Sequence, residues 1–222
     1  MFTIHFTQLM QSLPYFLKGL WGTIAVSGLS LLAGTVVGLL WGIIRASRYR
    51  TLRLIIGAWV DLIRGTPFLV QIFIVFFILP EVGIQLDAFP AAVIALSNLS
   101  ACFICEIIAG GILAIPSGQR EAATASGLSS YQQLRYVILP QALRVILPPL
   151  VGQYVLLIKD SSVVSAIGVL DVTRVGWLTV QRIPEGLLVF GLVGVLYFVI
   201  CYPLIQLSNS LEKKLTVVTT RL

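Results

Sequence analysis

Charge is what this sequence has least of. Of its 222 residues only 11% are Asp, Glu, Lys or Arg, 58% are hydrophobic, and the mean hydropathy is +0.98. A soluble domain carries roughly 25% charged residues, so this chain is built for lipid. Histidine is nearly absent: His5 stands alone, and there are three cysteines. Cys102 and Cys105 form a CxxC inside an apolar stretch with no further ligand nearby, which leaves no zinc or redox centre and makes them small buried hydrophobes. No Ser–His pair, catalytic carboxylate pair or metal cluster is present, which argues against an intramembrane enzyme. Flexible linkers, low-complexity tracts, a soluble domain and internal repeats are missing too. The net charge of +6 includes no basic run interleaved with aromatics, so it belongs to membrane faces rather than to nucleic acid. A basic n-region with a small-residue cleavage site is lacking, and residue 1 is expected to be retained.

Helix bundles and closed β-barrels are the structures that satisfy the backbone in lipid. The apolar stretches here are long and continuous, so the expected class is an all-α membrane protein. A spanning helix needs about 20 apolar residues, and five segments supply them, near 20–44, 56–79, 90–114, 138–158 and 187–210. Residues 2–18 are too short and too polar to span, and their aromatics, leucines, Pro14 and Lys18 suit an interfacial segment. With the N-terminus outside, the inner connections carry Arg45, Arg48, Arg50, Arg53, Arg120, Arg135, Arg144, Lys213, Lys214 and Arg221. The outer ones carry Lys18, Lys159, Arg174 and Arg182, ten against four. The positive-inside rule then sets N-out, C-in.

Three glycines, Gly34, Gly38 and Gly42, stand one turn apart on the first span, a tandem GxxxG that lets a second backbone approach closely. The second span opens with Asp61, Arg64, Gly65, Thr66 and Pro67: the proline lacks a donor and disfavours helix at Thr66, so the helix restarts or kinks there. Arg64 either belongs to that break or snorkels and pairs with Asp61 at i,i+3.

The loop between the third and fourth spans reads Gly118-Gln119-Arg120-Glu121-Ala122-Ala123-Thr124-Ala125-Ser126-Gly127, then Leu128 to Tyr136, then Val137-Ile138-Leu139-Pro140. It predicts two short helices. Gly127 supplies the left-handed turn that ends the first, Ser129 with Gln132 forms a capping box for the second, and Pro140 marks re-entry into the membrane. The pattern Glu-Ala-Ala, three residues, Gly, nine residues, Ile-x-Leu-Pro resembles the cytoplasmic coupling motif of the permease subunits of ABC importers. Val137 replaces the Ile. Arg64-Gly65-Thr66-Pro67, Gly118-Gln119 and Lys159-Asp160-Ser161-Ser162 are similar to the polar amino-acid branch of that family, and the resemblance runs from about Ser12 to the C-terminus.

That resemblance implies one transmembrane domain over 1–222, with an interfacial segment at 1–18 and a coupling loop at 115–137. It implies five transmembrane helices with a cytoplasmic coupling helix between the third and fourth, in the bacterial inner membrane. Glu121, Ala122, Ala123 and Gly127 would form the helix that docks on the ATPase. The partners implied are a second permease subunit, two cytoplasmic ATPase subunits that use ATP and Mg2+, and an external substrate-binding protein. The chain itself would bind no cofactor and perform no chemistry. An ion-gradient carrier is the rival reading, but five spans without an inverted repeat do not suit it.

Glu106 lies within the third span, about 6 Å from its midplane at 1.5 Å per residue. A carboxylate there costs roughly 2.5–3.5 kcal/mol on insertion scales, so it is expected to face a cavity or a cation. Asn98, Cys102, Cys105, Glu106 and Ala109 form one small, mildly polar stripe. Family members usually carry Arg three residues after the Glu, where this chain has Ala109. The counter-charge must therefore come from another helix (Arg64 is the candidate), from a second subunit or from the substrate, and a substrate role favours a basic amino acid. The candidate substrate-binding residues are Asn98, Glu106, Asp160, Ser161 and Ser162. The last three either line the passage on a re-entrant or interfacial segment and receive an α-ammonium group, or lie at the outer end of the fourth span.

Overall fold

The structure is a computed structural model that describes the backbone of residues 2–219 and the side chains of residues 7–215. The side chains of His5 and Arg221 lie outside the described residues. Every regular element among the described residues is helical. Four helical runs are long and apolar enough to cross a membrane, and a bent pair makes five if it is counted as one span.

Helix α1 (Phe2–Arg45) has 44 residues, about 66 Å of helix and roughly twice the hydrocarbon thickness of a bilayer. Residues 2–18, expected as a separate interfacial piece, instead continue the first span without a break, with Pro14 inside the helix. The reason is tertiary. Leu9 and Phe16 are buried with Val172, Val175, Ile183, Val189 and Val193. Burial of about 1.5–3 kcal/mol per large side chain offsets the ~3 kcal/mol that proline costs inside a helix.

Helix α2 (Arg50–Arg64) and helix α3 (Phe68–Phe73) are separated by Gly65-Thr66-Pro67. A π turn (Ile74–Ile78) and a 3-10 turn (Leu79–Val82) extend α3, and the two halves meet at 103°. The expected break at Pro67 is therefore an elbow. Helix α4 (Ala88–Leu113) is the centre of the bundle: 61% of its apolar window is buried, against 17% for the last span. Gly34, Gly38 and Gly42 of α1 face it. A Cβ on each would stand 2.6 Å from the Ser100 Cβ, 2.7 Å from the Ile104 Cβ and 2.5 Å from the Ile108 Cβ. The tandem GxxxG therefore packs α1 on α4 at backbone distance.

Helix α5 (Ser117–Ala125) and the short helix α6 (Ser130–Gln132) follow. Helix α6 is not a separate second helix, as the loop predicts. It passes through a π turn (Gln133–Ile138) into helix α7 (Leu139–Asp160), and the helical run extends to Ile167 through a 3-10 segment (Ser161–Ile167). Pro140 offers no donor to the carbonyl four residues back, and the wider turn accommodates that loss. The 161–167 segment is no re-entrant loop. It prolongs α7, with Val164 and Ile167 packed against Ala91, Ala92 and Ala95 of α4, until Gly168 (φ 90°) ends it.

Helix α8 (Val172–Val180) and helix α9 (Gly186–Thr219) complete the chain. Asp171 caps α8 by accepting from the Thr173 and Arg174 amides at 3.2 and 2.8 Å, and from the Tyr197 hydroxyl of α9 at 3.2 Å. Thr23 of α1 accepts from the Val172 amide at 3.1 Å. Burial pushes the Asp171 carboxyl above its ordinary range, and the hydrogen bonds to Arg174, Thr173 and Tyr197 pull it back. The carboxylate thus ties α8 to α9, and α1 is fastened at the neighbouring Val172 amide.

Candidate functional site

Glu106 projects half-buried from α4 toward the ends of α1 and α2. Its Oε1 lies 2.5 Å from Arg45 Nε, and its Oε2 lies 3.4 Å from Arg64 Nη1. The Arg45 contact is a charge contact rather than a directed hydrogen bond, since Oε1 meets no hydrogen-bond geometry. The Arg64 guanidinium also lies over the Phe103 ring, 5.2 Å from its centre, a cation–π position. The counter-charges of Glu106 are therefore intramolecular, and Arg64 pairs across helices rather than with Asp61. Beside Arg45 and Glu106 lies an open cleft of about 610 Å³, lined also by Arg53, Asp61 and Ala109.

The elbow beside the triad is held by a residue the sequence reading missed. Pro67 has no N–H to give the Ile63 carbonyl, and the buried Gln71 supplies it: Nε2 donates to Ile63 O at 2.7 Å, Thr66 O at 3.1 Å and Thr66 Oγ1 at 3.0 Å. A glutamine four residues after a proline break is the signal that was available. Gln71→Leu is expected to leave Ile63 O unpaired and to destabilise the detergent-solubilised protein by about 1–3 kcal/mol, read as a lower unfolding midpoint. An unchanged midpoint would mean that water or lipid-side backbone replaces the amide.

Asn98 stands two turns from Glu106 and accepts from Trp59 Nε1 of α2 at 3.1 Å. It borders an apolar cleft with Trp41 and Trp59. The Asp160, Ser161 and Ser162 group is elsewhere, at the junction of α7 with its 3-10 extension, and no hydrogen bond or ion pair among the described residues joins it to Asn98 or Glu106. Ser161 is fully buried and its hydroxyl donates to Ile158 O at 2.7 Å, so it is spent on its own helix. Asp160 and Ser162 are half-buried. The structure thus brings Glu106 together with Arg45 and Arg64, and Asn98 with Trp59, but does not merge the five candidates into one site. Cys102 and Cys105 are fully buried against Val60, Ile63 and Leu99. Among the described residues no cluster of His, Cys, Asp or Glu is disposed to hold a metal.

At the loop, the Gly127 amide donates to Thr124 O at 2.9 Å and the Leu128 amide to Ala123 O at 3.1 Å, with Gly127 at φ 75°. This pair of bonds is a Schellman motif. The capping box of the next helix is complete, with Ser129 N donating to Gln132 Oε1 at 2.8 Å and Gln132 N to Ser129 Oγ at 3.4 Å. Gln133 Nε2 closes the hairpin by donating to Leu128 O at 2.8 Å and Thr124 Oγ1 at 3.1 Å. Glu121, Ala122 and Gly127 are exposed, whereas Ala123 faces inward.

The charge-lined cleft thus lies among helices long and apolar enough to cross a membrane. Residues 34–217 match the family described as binding-protein-dependent transport system inner membrane component, and the chain belongs to it. It is 36% identical over 203 residues to the L-cystine transport system permease protein TcyB of Bacillus subtilis (strain 168), covering 91% of this chain and 87% of that one. It is 36% identical to the glutamine transport system permease protein GlnP of Escherichia coli (strain K12), covering 93% and 95%. The arginine transport system permease protein ArtQ of B. subtilis (strain 168) is 34% identical, covering 96% and 97%. A crystal structure of an amino acid ABC transporter with histidines superposes with a TM-score of 0.87 at 32% identity, covering 94% of this chain and 98% of that one. The chain is a permease subunit of an amino-acid ABC importer, a multi-pass inner-membrane protein that is not itself an enzyme; the family implies partner permease and ATPase subunits.

Proposed function

We propose that this chain lines the path of a polar amino acid across the membrane, N-terminus outside, and that α5 is the cytoplasmic helix through which ATP-driven motion reaches it. The observation that carries the reading is the hairpin after α4: a nine-residue helix with a slim exposed face at Glu121 and Ala122, locked to the following span by a Schellman turn, a capping box and Gln133. A short helix so fastened transmits a rigid-body push. Arg45 and Arg53 line one cleft at the ends of α1 and α2, and Arg48 and Arg120 line another beside α5, a concentration of arginine that favours the cytoplasm there. An external binding protein delivers the substrate at the opposite end, and the ATPase subunits hold ATP and Mg2+.

The cleft supports recognition of a zwitterion. A preference for basic substrates loses its motive, because Glu106 already has two guanidinium partners. Asp160 and Ser162 serve the path from the opposite end. The coupling role is tested at Gly127 and Glu121. At φ 75° with open space around it, Gly127→Val is strained by backbone alone, of order 1 kcal/mol or more, and Glu121→Lys reverses an exposed charge. Both variants should insert normally yet co-purify less ATPase and lose most transport, and a maleimide label at Ser130→Cys should react only from the cytoplasmic side. Normal ATPase recovery with normal uptake, or labelling from outside, would sink the assignment.

A further inference from the structure

Three clefts open at the arginine-rich end of the bundle. The one around Glu106 sets acids against its arginines, and one of about 550 Å³ between α7 and α9 sets Glu212 against Arg144. The third, about 330 Å³, lies between the α1–α2 loop, the end of α4 and the start of the Ser130 helix. It carries Arg48 and Arg120 and no carboxylate. Arg48 makes no ion pair or hydrogen bond through its side chain among the described residues, and Arg120 has a single weak contact, Nη2 to Ile112 O at 3.4 Å. The floor is apolar, formed by Ile112 and Ile138 of a buried cluster, and Ser130 and Gln133 stand on the wall. Two unmatched guanidiniums above an apolar floor, at the level where a spanning helix ends, have one chemical complement: a phosphodiester anion carrying hydrocarbon.

We propose that this cleft binds the headgroup of an anionic phospholipid. Guanidinium forks match phosphate oxygens in two-point contacts, and basic pockets between spans at a membrane face take such headgroups. The apolar floor accommodates the glycerol backbone and first methylenes, which free phosphate lacks. Arg120 lies on the same inward face of α5 as Ala123, three residues on, away from exposed Glu121 and Ala122. A lipid held there braces the α5 hairpin against the α1–α2 loop. This last consequence rests on the coupling role proposed for α5, whereas binding itself does not.

The test is native mass spectrometry of the purified transporter complex in detergent, titrated with dioleoyl phosphatidylglycerol or dioleoyl phosphatidylcholine, with and without millimolar inorganic phosphate. Phosphatidylglycerol is expected to be retained in preference to phosphatidylcholine and to resist displacement by phosphate. Each arginine near an anionic lipid contributes a factor of about five, so Arg48→Ala should weaken retention about fivefold and Arg48→Ala/Arg120→Ala roughly 30-fold. Arg144→Ala, whose cleft has its own acid, should change it little. Arg48 is exposed and its side chain makes no ion pair or hydrogen bond among the described residues, so its single variant keeps the fold even if Arg120→Ala does not. Equal retention of both lipids, displacement by inorganic phosphate, loss with Arg144→Ala equal to that with Arg48→Ala, or unchanged retention in Arg48→Ala would each overturn the proposal. None of these outcomes bears on whether α5 couples to the ATPase.

Discussion

Gly38→Leu is expected to prevent the bundle from assembling. A Cβ at this position already stands 2.7 Å from the Ile104 Cβ and 2.8 Å from the Ala101 carbonyl oxygen, closer than unbonded atoms tolerate. Both atoms are fixed to the α4 backbone, so the strain cannot be relieved by turning a flexible side chain. Overpacking of a filled core costs typically about 1–3 kcal/mol and more where backbone must move. Three leucine carbons beyond the Cβ put the cost above the usual ~3 kcal/mol, a large share of the roughly 5–15 kcal/mol that holds a folded protein together. The matched control is Gly28→Leu on the same helix, where nothing lies within 4 Å of a new Cβ. Size-exclusion recovery and thermal unfolding in one detergent decide the matter: Gly28→Leu should elute as the parent does, and Gly38→Leu should aggregate. Equal behaviour of the two would mean that α1 and α4 do not meet through this stripe.

Glu106→Gln is expected to reduce uptake about tenfold or more for neutral and basic amino acids alike. The substitution keeps shape and removes only charge, leaving Arg45 and Arg64 facing each other without their common carboxylate. Side-chain exposures of 30%, 22% and 38% for the three groups admit solvent, so the stability cost lies nearer ~1–2 kcal/mol than the 3–5 kcal/mol of a fully buried pair. Function suffers more than stability, because the carboxylate anchors the α2 elbow to α1 and α4. Arg45→Gln in the Glu106→Gln background should restore part of the loss, the signature of coupled charges in a double-substitution cycle. A selective loss of lysine and arginine uptake with glutamine uptake intact would instead make Glu106 a receptor for cationic substrate.

The features legible in the sequence are those whose cause is local. Gly34, Gly38 and Gly42 announce a close helix contact by spacing alone. The Gly127 turn and the Ser129–Gln132 box are written within a few residues, and Pro67 removes its donor in any surroundings. The elbow angle, Gln71 and the Arg45 contact were not legible, because each depends on which element lies alongside. Arg45 counts in the sequence as one more loop cation, and only the length of α1 delivers it to Glu106. Residues 2–18 mislead for the same reason: Pro14 and Lys18 look like an interfacial segment until Phe16 finds its place against α8 and α9. Ser161 looks like a free hydroxyl, and its own helix has claimed it.

The glycine contact between α1 and α4 has a mechanical consequence. Where two helices touch through long side chains, they can slide by changing rotamers; where they touch through bare backbone, there is no such bearing. Advancing α1 along α4 by a fraction of a turn would drive Ser100, Ile104 or Ile108 into the α1 main chain, so the two helices have no soft coordinate between them. They form a single strut, about 66 Å long on the α1 side, and access to the path cannot alternate by shear within it. That leaves any compliance to joints that lack this backbone contact, and the 103° bend between α2 and α3 is one of them.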